Sequence, residues 1–159
     1  MRQRRGKLPV SIGPASAGLL VDTSAWIEVF RRAPRLTLEQ AVGDLDRVVT
    51  CLPVIQEVLQ GFDDERSFRI AHTAMLALPC VESPLTVGVM EEAVALYRRA
   101  RRSGATVRSG VDCLIAACAL RHHLTVVHCD RDFAAIARIA PLEHHDVRPR
   151  ARRQAGHVT

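Results

Sequence analysis

Asp22, Glu57, Asp112 and Asp130 are the side chains best placed for chemistry, because each sits at the edge of an apolar element. Asp22 ends the run Gly18-Leu19-Leu20-Val21, and Asp130 follows Leu124-Thr125-Val126-Val127-His128-Cys129. A carboxylate directly after a buried strand is where an open α/β sheet presents its ligand-handling groups. Glu57 and Asp112 fall inside helical patterns that can return to the same sheet edge. Acids gathered there repel one another: two unit charges about 4 Å apart cost roughly 4 kcal/mol at an effective dielectric near 20. A hard divalent cation with oxygen ligands relieves this, so the pattern predicts a magnesium or manganese site. Taken singly, each acid has a plainer reading. Asp112 suits a helix N-terminus, and Glu57 suits a solvated helix face.

The elements that must bring these acids together alternate between strand and helix. Gly18 to Val21 reads as a short buried strand, followed by a helix carrying Trp26, Ile27, Val29 and Phe30 that Thr23 or Ser24 would cap. A second helical pattern covers 37–45, and 47–51 is a β-branched second strand. Pro53 suits the first turn of the next helix, and Asp63-Asp64-Glu65 opens another, to about Leu78. Residues 80–82 form a marginal third strand, and a long helix runs from about Thr86 to Ser103-Gly104. Val111, Leu114, Ile115, Cys118 and Ala119 recur at helical spacing, and 124–128 is the clearest strand. A last helix takes Phe133, Ile136, Ala137 and Ile139, and 142–144 would add an edge strand. This order predicts a three-layer, doubly wound α/β fold. Its mostly parallel sheet of four to five strands has helices on both faces. In that topology the first and fourth strands end side by side, which places Asp22 next to Asp130. Residues 18–147 would form this domain, between a basic flexible leader (1–17) and a basic flexible tail (148–159).

Composition narrows the partners. The 159 residues suffice for one domain, and only 4% are aromatic, so the core must come from Leu, Val, Ile and Ala. The formal charge is +5. A basic protein with an acidic centre suits a polyanion gripped around a metal-filled cavity. Cys51, Cys80, Cys113, Cys118 and Cys129 form no C-x-x-C pair and are odd in number. They read as reduced thiols of a cytoplasmic protein rather than disulfides or a zinc site. Ala15-Ser16-Ala17 imitates a signal cleavage site, but Gly13 and Pro14 break the stretch before it. No run approaches the roughly 20 apolar residues of a membrane span.

Three motifs then carry a family resemblance. Leu20-Val21-Asp22-Thr23-Ser24-Ala25-Trp26-Ile27 resembles the opening motif of PIN-domain nucleases, especially the VapC-type toxins of bacterial toxin–antitoxin pairs. Asp112-Cys113-Leu114-Ile115-Ala116-Ala117 is similar to their D-x-x-I-A-A helix, and Val127-His128-Cys129-Asp130-Arg131-Asp132-Phe133 to their closing D-x-D-F motif. The resemblance spans roughly residues 18 to 145. It implies a PIN fold and a magnesium-dependent endoribonuclease, usually a homodimer, silenced by a cognate antitoxin. It also implies that Asp22, Glu57, Asp112 and Asp130 bind metal (Mg2+, with Mn2+ the alternative). Asp132 would be an auxiliary acid or the cap of the last helix, and Thr23 or Ser24 would bond a carboxylate or phosphate. The target, whether transfer, ribosomal or messenger RNA, stays open.

The expected chemistry is metal-assisted phosphodiester hydrolysis, with Arg98, Arg99, Arg101, Arg102 and Arg108 as candidates for holding the RNA backbone. Competing chemistries lack their parts. The chain has no phosphate-binding glycine loop and no G-x-S-x-G. Haloacid-dehalogenase phosphatases and response-regulator receivers need a lysine near their acids, and the only one, Lys7, precedes the first strand. The alternative of a different class is a catalytically inactive PIN-like module that grips RNA or a protein.

Overall fold

The computed structural model describes residues 18–149, so the expected leader (1–17) and all but the first two residues of the expected tail (148–159) lie outside the described residues. Five strands, β1 (Leu19–Val21), β2 (Val48–Cys51), β3 (Cys80–Val81), β4 (Thr125–His128) and β5 (His144–Asp146), form one sheet in the order β3-β2-β1-β4-β5. Every pairing is parallel. Between β1 and β2 lie α1 (Thr23–Phe30) and α2 (Leu38–Val42), and between β2 and β3 lie α3 (Leu52–Leu59) and α4 (Glu65–Leu76). The return to β4 uses α5 (Val87–Arg102) and α6 (Gly110–Arg121), and α7 (Arg131–Ala137) leads to β5. The three-layer doubly wound architecture expected from the sequence is therefore present.

The chain steps outward from β1 to β2 and β3, then returns past β1 to β4. Right-handed crossovers in opposite directions put helices on opposite faces, which explains why Leu19, Leu20 and Val21 are all buried. Helix α6 is buried almost all round, through Cys113, Ile115, Ala116, Ala117, Cys118 and Ala119. Its small side chains let it lie close against α3, α5, α7 and β4. Register matters most at the switch point. Leu19 pairs with Thr125 and Val21 with Val127, so β1 and β4 end level. The Asp22 N–H donates to the Val127 carbonyl at 2.9 Å.

Three local expectations shift. Neither Thr23 nor Ser24 caps α1; Asp22 does, accepting from the Ser24 N–H. The edge strand lies at His144–Asp146 rather than 142–144, because the Leu142 N–H is used locally, donating to the Ala140 carbonyl at 2.8 Å. Val126 pairs instead with His144. The second helix stops early, since Gly43 at φ +75° turns the chain out after Val42. Arg148, where the expected tail begins, is held by the Asp146 carboxylate through its N–H and guanidinium. No helix among the described residues is long and apolar enough to cross a membrane.

Phe133 is fully buried beneath the closing acids, with its ring centroid 5.0 Å from that of His128. Phe133→Ala should destabilise the protein by about 3–5 kcal/mol in urea unfolding. A loss below about 1 kcal/mol would contradict its place in the core.

Candidate functional site

The level ends of β1 and β4, the first turn of α6 and the second turn of α3 enclose one cavity of ≈ 310 Å³. Asp22, Glu57, Asp112, Asp130 and Asp132 all line it, with Thr23, Ser24, Ile27, Arg108 and Ser109. The structure thus brings together all the acids singled out in the sequence. Asp112, Asp130 and Asp132 form the tightest group: one carboxylate oxygen from each lies within 4.8 Å of the others. Asp22 and Glu57 complete the wall.

Each acid is held by a different local device. Asp22 is 2% exposed. Its Oδ2 accepts from the Ser24 N–H at 2.9 Å and the Ser24 hydroxyl at 2.5 Å. The Ser24 Oγ in turn accepts from the Cys129 N–H at 2.9 Å, which ties the start of α1 to the end of β4. Thr23 donates its hydroxyl to Glu57 Oε2 at 2.9 Å. Both hydroxyls therefore serve carboxylates. Asp112 occupies the first turn of α6, whose N-cap is Ser109.

The closing motif divides its labour differently from the capping alternative considered for Asp132. Asp130 is the N-cap of α7, accepting from the Asp132 N–H at 3.0 Å. Asp132 is 3% exposed. Its Oδ2 accepts from the Arg108 N–H at 2.6 Å and its Oδ1 from the Arg108 Nε at 3.2 Å. The same guanidinium reaches Asp130 Oδ1 at 2.8 Å. Arg108 is a partner that sequence reasoning grouped only with RNA-holding arginines; its contact with acids more than twenty residues away leaves no local signature. Arg99 spends its guanidinium on the Ile139 carbonyl. His128, fully buried, accepts at Nδ1 from the Asp130 N–H at 3.2 Å. That leaves its proton on Nε2, 2.9 Å from His144 Nδ1.

The electrostatics follow from burial. Desolvation pushes the Asp22 carboxyl up to about 6, the Ser24 donors draw it down, and the Glu57 charge adds to the rise. Asp112, 8% exposed, is pushed up to about 8. Burial is the first cause there, followed by the charges of Asp22, Asp130, Asp132 and Glu57. Among the described residues nothing donates a hydrogen bond to the Asp112 carboxyl, and Asp22 Oδ1 is buried without a partner. An all-oxygen donor set with an orphaned buried oxygen fits a hard divalent cation.

Beside the cavity, and sharing Ile27 and Glu57 with it, lies a groove of ≈ 450 Å³ lined by Phe30, Phe62, Arg31 and Arg32 among others. It runs between α1, α3 and the start of α4.

Comparison with known proteins gives a consistent set of likenesses. The PIN domain family model matches residues 19–139. Ribonuclease VapC11 of Mycobacterium tuberculosis is 39% identical over 133 residues, 79% of this chain and 96% of that protein. Among solved structures, VapBC-5 of M. tuberculosis, a member of the VapBC family of toxin-antitoxin systems, matches with TM-score 0.62 and 26% identity, covering 83% of this chain and 99% of the other. DNA-bound VapBC from Salmonella typhimurium matches in fold with TM-score 0.66 at 18% identity, covering 82% and 98%.

The raised carboxyls make a signed prediction for the metal-free protein. In the unfolded chain Asp22 and Asp112 titrate near 3.8; in the folded chain they do so at about 6 and about 8. Between those values the folded state holds protons the unfolded state has lost, so these groups lower stability as pH rises. Asp112→Asn should therefore exceed the parent protein by at least about 1 kcal/mol at about pH 8 in EDTA, and the gap should close near about pH 4. Equal stabilities at the higher pH would contradict the burial account.

Proposed function

Because the chain belongs to the PIN-domain family, we propose that it is a magnesium-dependent endoribonuclease that acts as the growth-inhibiting toxin of a type II toxin–antitoxin pair. Asp22, Glu57, Asp112, Asp130 and Asp132 are its metal-binding acids, with Mn2+ able to replace Mg2+. The observation that carries this reading is the convergence of five acids from four separate segments on one cavity, two of them with carboxyls raised by desolvation. A module that only gripped RNA would gain nothing from burying mutually repelling charges. The inactive alternative is disfavoured on that ground.

A divalent cation held by Asp22, Glu57, Asp112, Asp130 and Asp132 would supply Lewis acidity toward water and the scissile phosphate. The chain's own residues do the rest. Ser24 fixes the rotation of Asp22, leaving Oδ1 directed away from its donors. Thr23 fixes Glu57, and the first turn of α6 presents Asp112. Arg108 at the rim meets the RNA backbone; the shortage of aromatic side chains points to recognition of phosphates and shape rather than stacked bases. The adjoining groove, apolar at Ile27, Phe30 and Phe62 and basic at Arg31 and Arg32, suits an antitoxin segment that reaches toward the acids.

A homodimer would form through α5. Val87, Met90 and Val94 are exposed along one stripe of that helix, above a shallow apolar cavity of ≈ 440 Å³ that also includes Tyr97 and Leu114. Exposed apolar stripes of this kind mark protein interfaces. Val94→Arg should convert a dimer to a monomer in light scattering; an unchanged mass would move the interface elsewhere.

Cleavage itself is tested with a labelled RNA and Mg2+. The parent protein should cut it, EDTA should abolish cutting, and Asp22→Asn or Asp112→Asn should reduce the rate by at least about a thousandfold while the protein stays folded. Full activity in either variant would overturn the assignment of that acid.

A further inference from the structure

Arg108 stands out because, among the described residues, it is the one basic side chain lining the acid cavity. Its NH2 group lies 2.8 Å from Asp130 and its Nε 3.2 Å from Asp132, two of the three acids whose oxygens cluster within 4.8 Å. The guanidinium therefore supplies positive charge at the place where a divalent ion would supply it. Yet the Arg108 side chain is 66% exposed. It reaches in from the rim, free to swing out without opening the core.

The backbone separates charge from positioning. The Arg108 N–H donates to Asp132 Oδ2 at 2.6 Å, and the Asp132 N–H donates to Asp130 Oδ1 at 3.0 Å. Both contacts survive when the side chain is removed. The acids thus have main-chain donors of their own, and the guanidinium adds its charge and two further hydrogen bonds, to Asp132 Oδ1 and Asp130 Oδ1.

We propose that Arg108 is a resident counter-cation of the acid cavity, which a divalent ion must displace and which the RNA phosphate then receives. The inference rests on the metal-dependent nuclease reading of this site. A cation entering beside the guanidinium meets a like charge, so the parent protein binds metal more weakly than its acids alone would allow. Once displaced, the planar fork of five donors suits a phosphate in bidentate geometry. RNA draws Arg108 outward and thereby tightens metal binding, and by reciprocity metal tightens RNA binding. The cavity would then hold its metal firmly only when substrate is present.

Calorimetric titration with Mn2+ alone, and with Mn2+ plus a 2′-O-methyl oligonucleotide that resists cleavage, tests this. Arg108→Ala should bind Mn2+ about tenfold more tightly than the parent at low salt. Arg108→Gln, which keeps hydrogen-bonding capacity without charge, should do the same and covers the case of an unstable alanine variant. Arg108→Lys should stay within about threefold of the parent. The oligonucleotide should tighten Mn2+ binding in the parent and in neither uncharged variant. Unchanged or weaker Mn2+ binding in both uncharged variants would overturn the proposal and leave Arg108 as a positioning residue. If the parent itself bound no Mn2+, the metal-dependent reading of the site would fall first, and this inference with it.

Discussion

Carboxylates withdrawn from water in one another's company are the constraint around which this molecule is built. An isolated surface acid lowers its energy by solvation, but Asp22, Asp112 and Asp132 have surrendered most of theirs to the sheet edge and helix ends that hold them. The remaining stabilisation comes from a few donors: Ser24 to Asp22, Thr23 to Glu57, and Arg108 to Asp130 and Asp132. Those donors leave one Asp22 oxygen unpartnered and raise no bond to Asp112 among the described residues. A set of groups that stays partly unsatisfied after folding is poised for a ligand of opposite charge.

The parallel sheet makes this arrangement possible. Strand order reverses between β1 and β4, so two chain segments 105 residues apart, at Ser24 and Cys129, meet in one hydrogen bond. Helices that start at that edge add Asp112 from α6 and Glu57 from α3, and the contact between those two helices closes the wall. The same edge also favours charge at helix N-termini, where Asp22 and Asp130 serve as caps. Capping and cavity formation are thus two uses of one geometry, which is why single-residue arguments for these acids were ambiguous.

Much of this was legible in the sequence where burial writes a strong pattern. β1 is a continuous apolar run ended by Asp22, β4 is a buried, β-branched run soon followed by Asp130, and α6 carries its small residues in an unbroken stretch, so both the fold and the convergence of acids could be read. Weaker signals belonged to elements fixed by backbone pairing. β5 is His-His-Asp, with no hydrophobic period, and is located by its ladder to β4 and the His128–His144 contact. The cap of α1 was displaced by one or two residues, because Asp, Thr and Ser stand in succession and each is a competent cap. Arg108 was the largest gap. Its bonds span 22 and 24 residues, and nothing in the local pattern distinguishes it from the arginines at the end of α5.

If repulsion among desolvated carboxyls governs the site, the metal-free protein should carry a bound proton on Asp112 near neutrality, and a divalent ion should expel it. Calorimetric titration with Mg2+ at about pH 7 in two buffers of different ionisation enthalpy counts that proton directly. The account predicts release of close to one proton per ion bound, lost in Asp112→Asn. Magnesium binding with no proton release, or no binding at all, would contradict it.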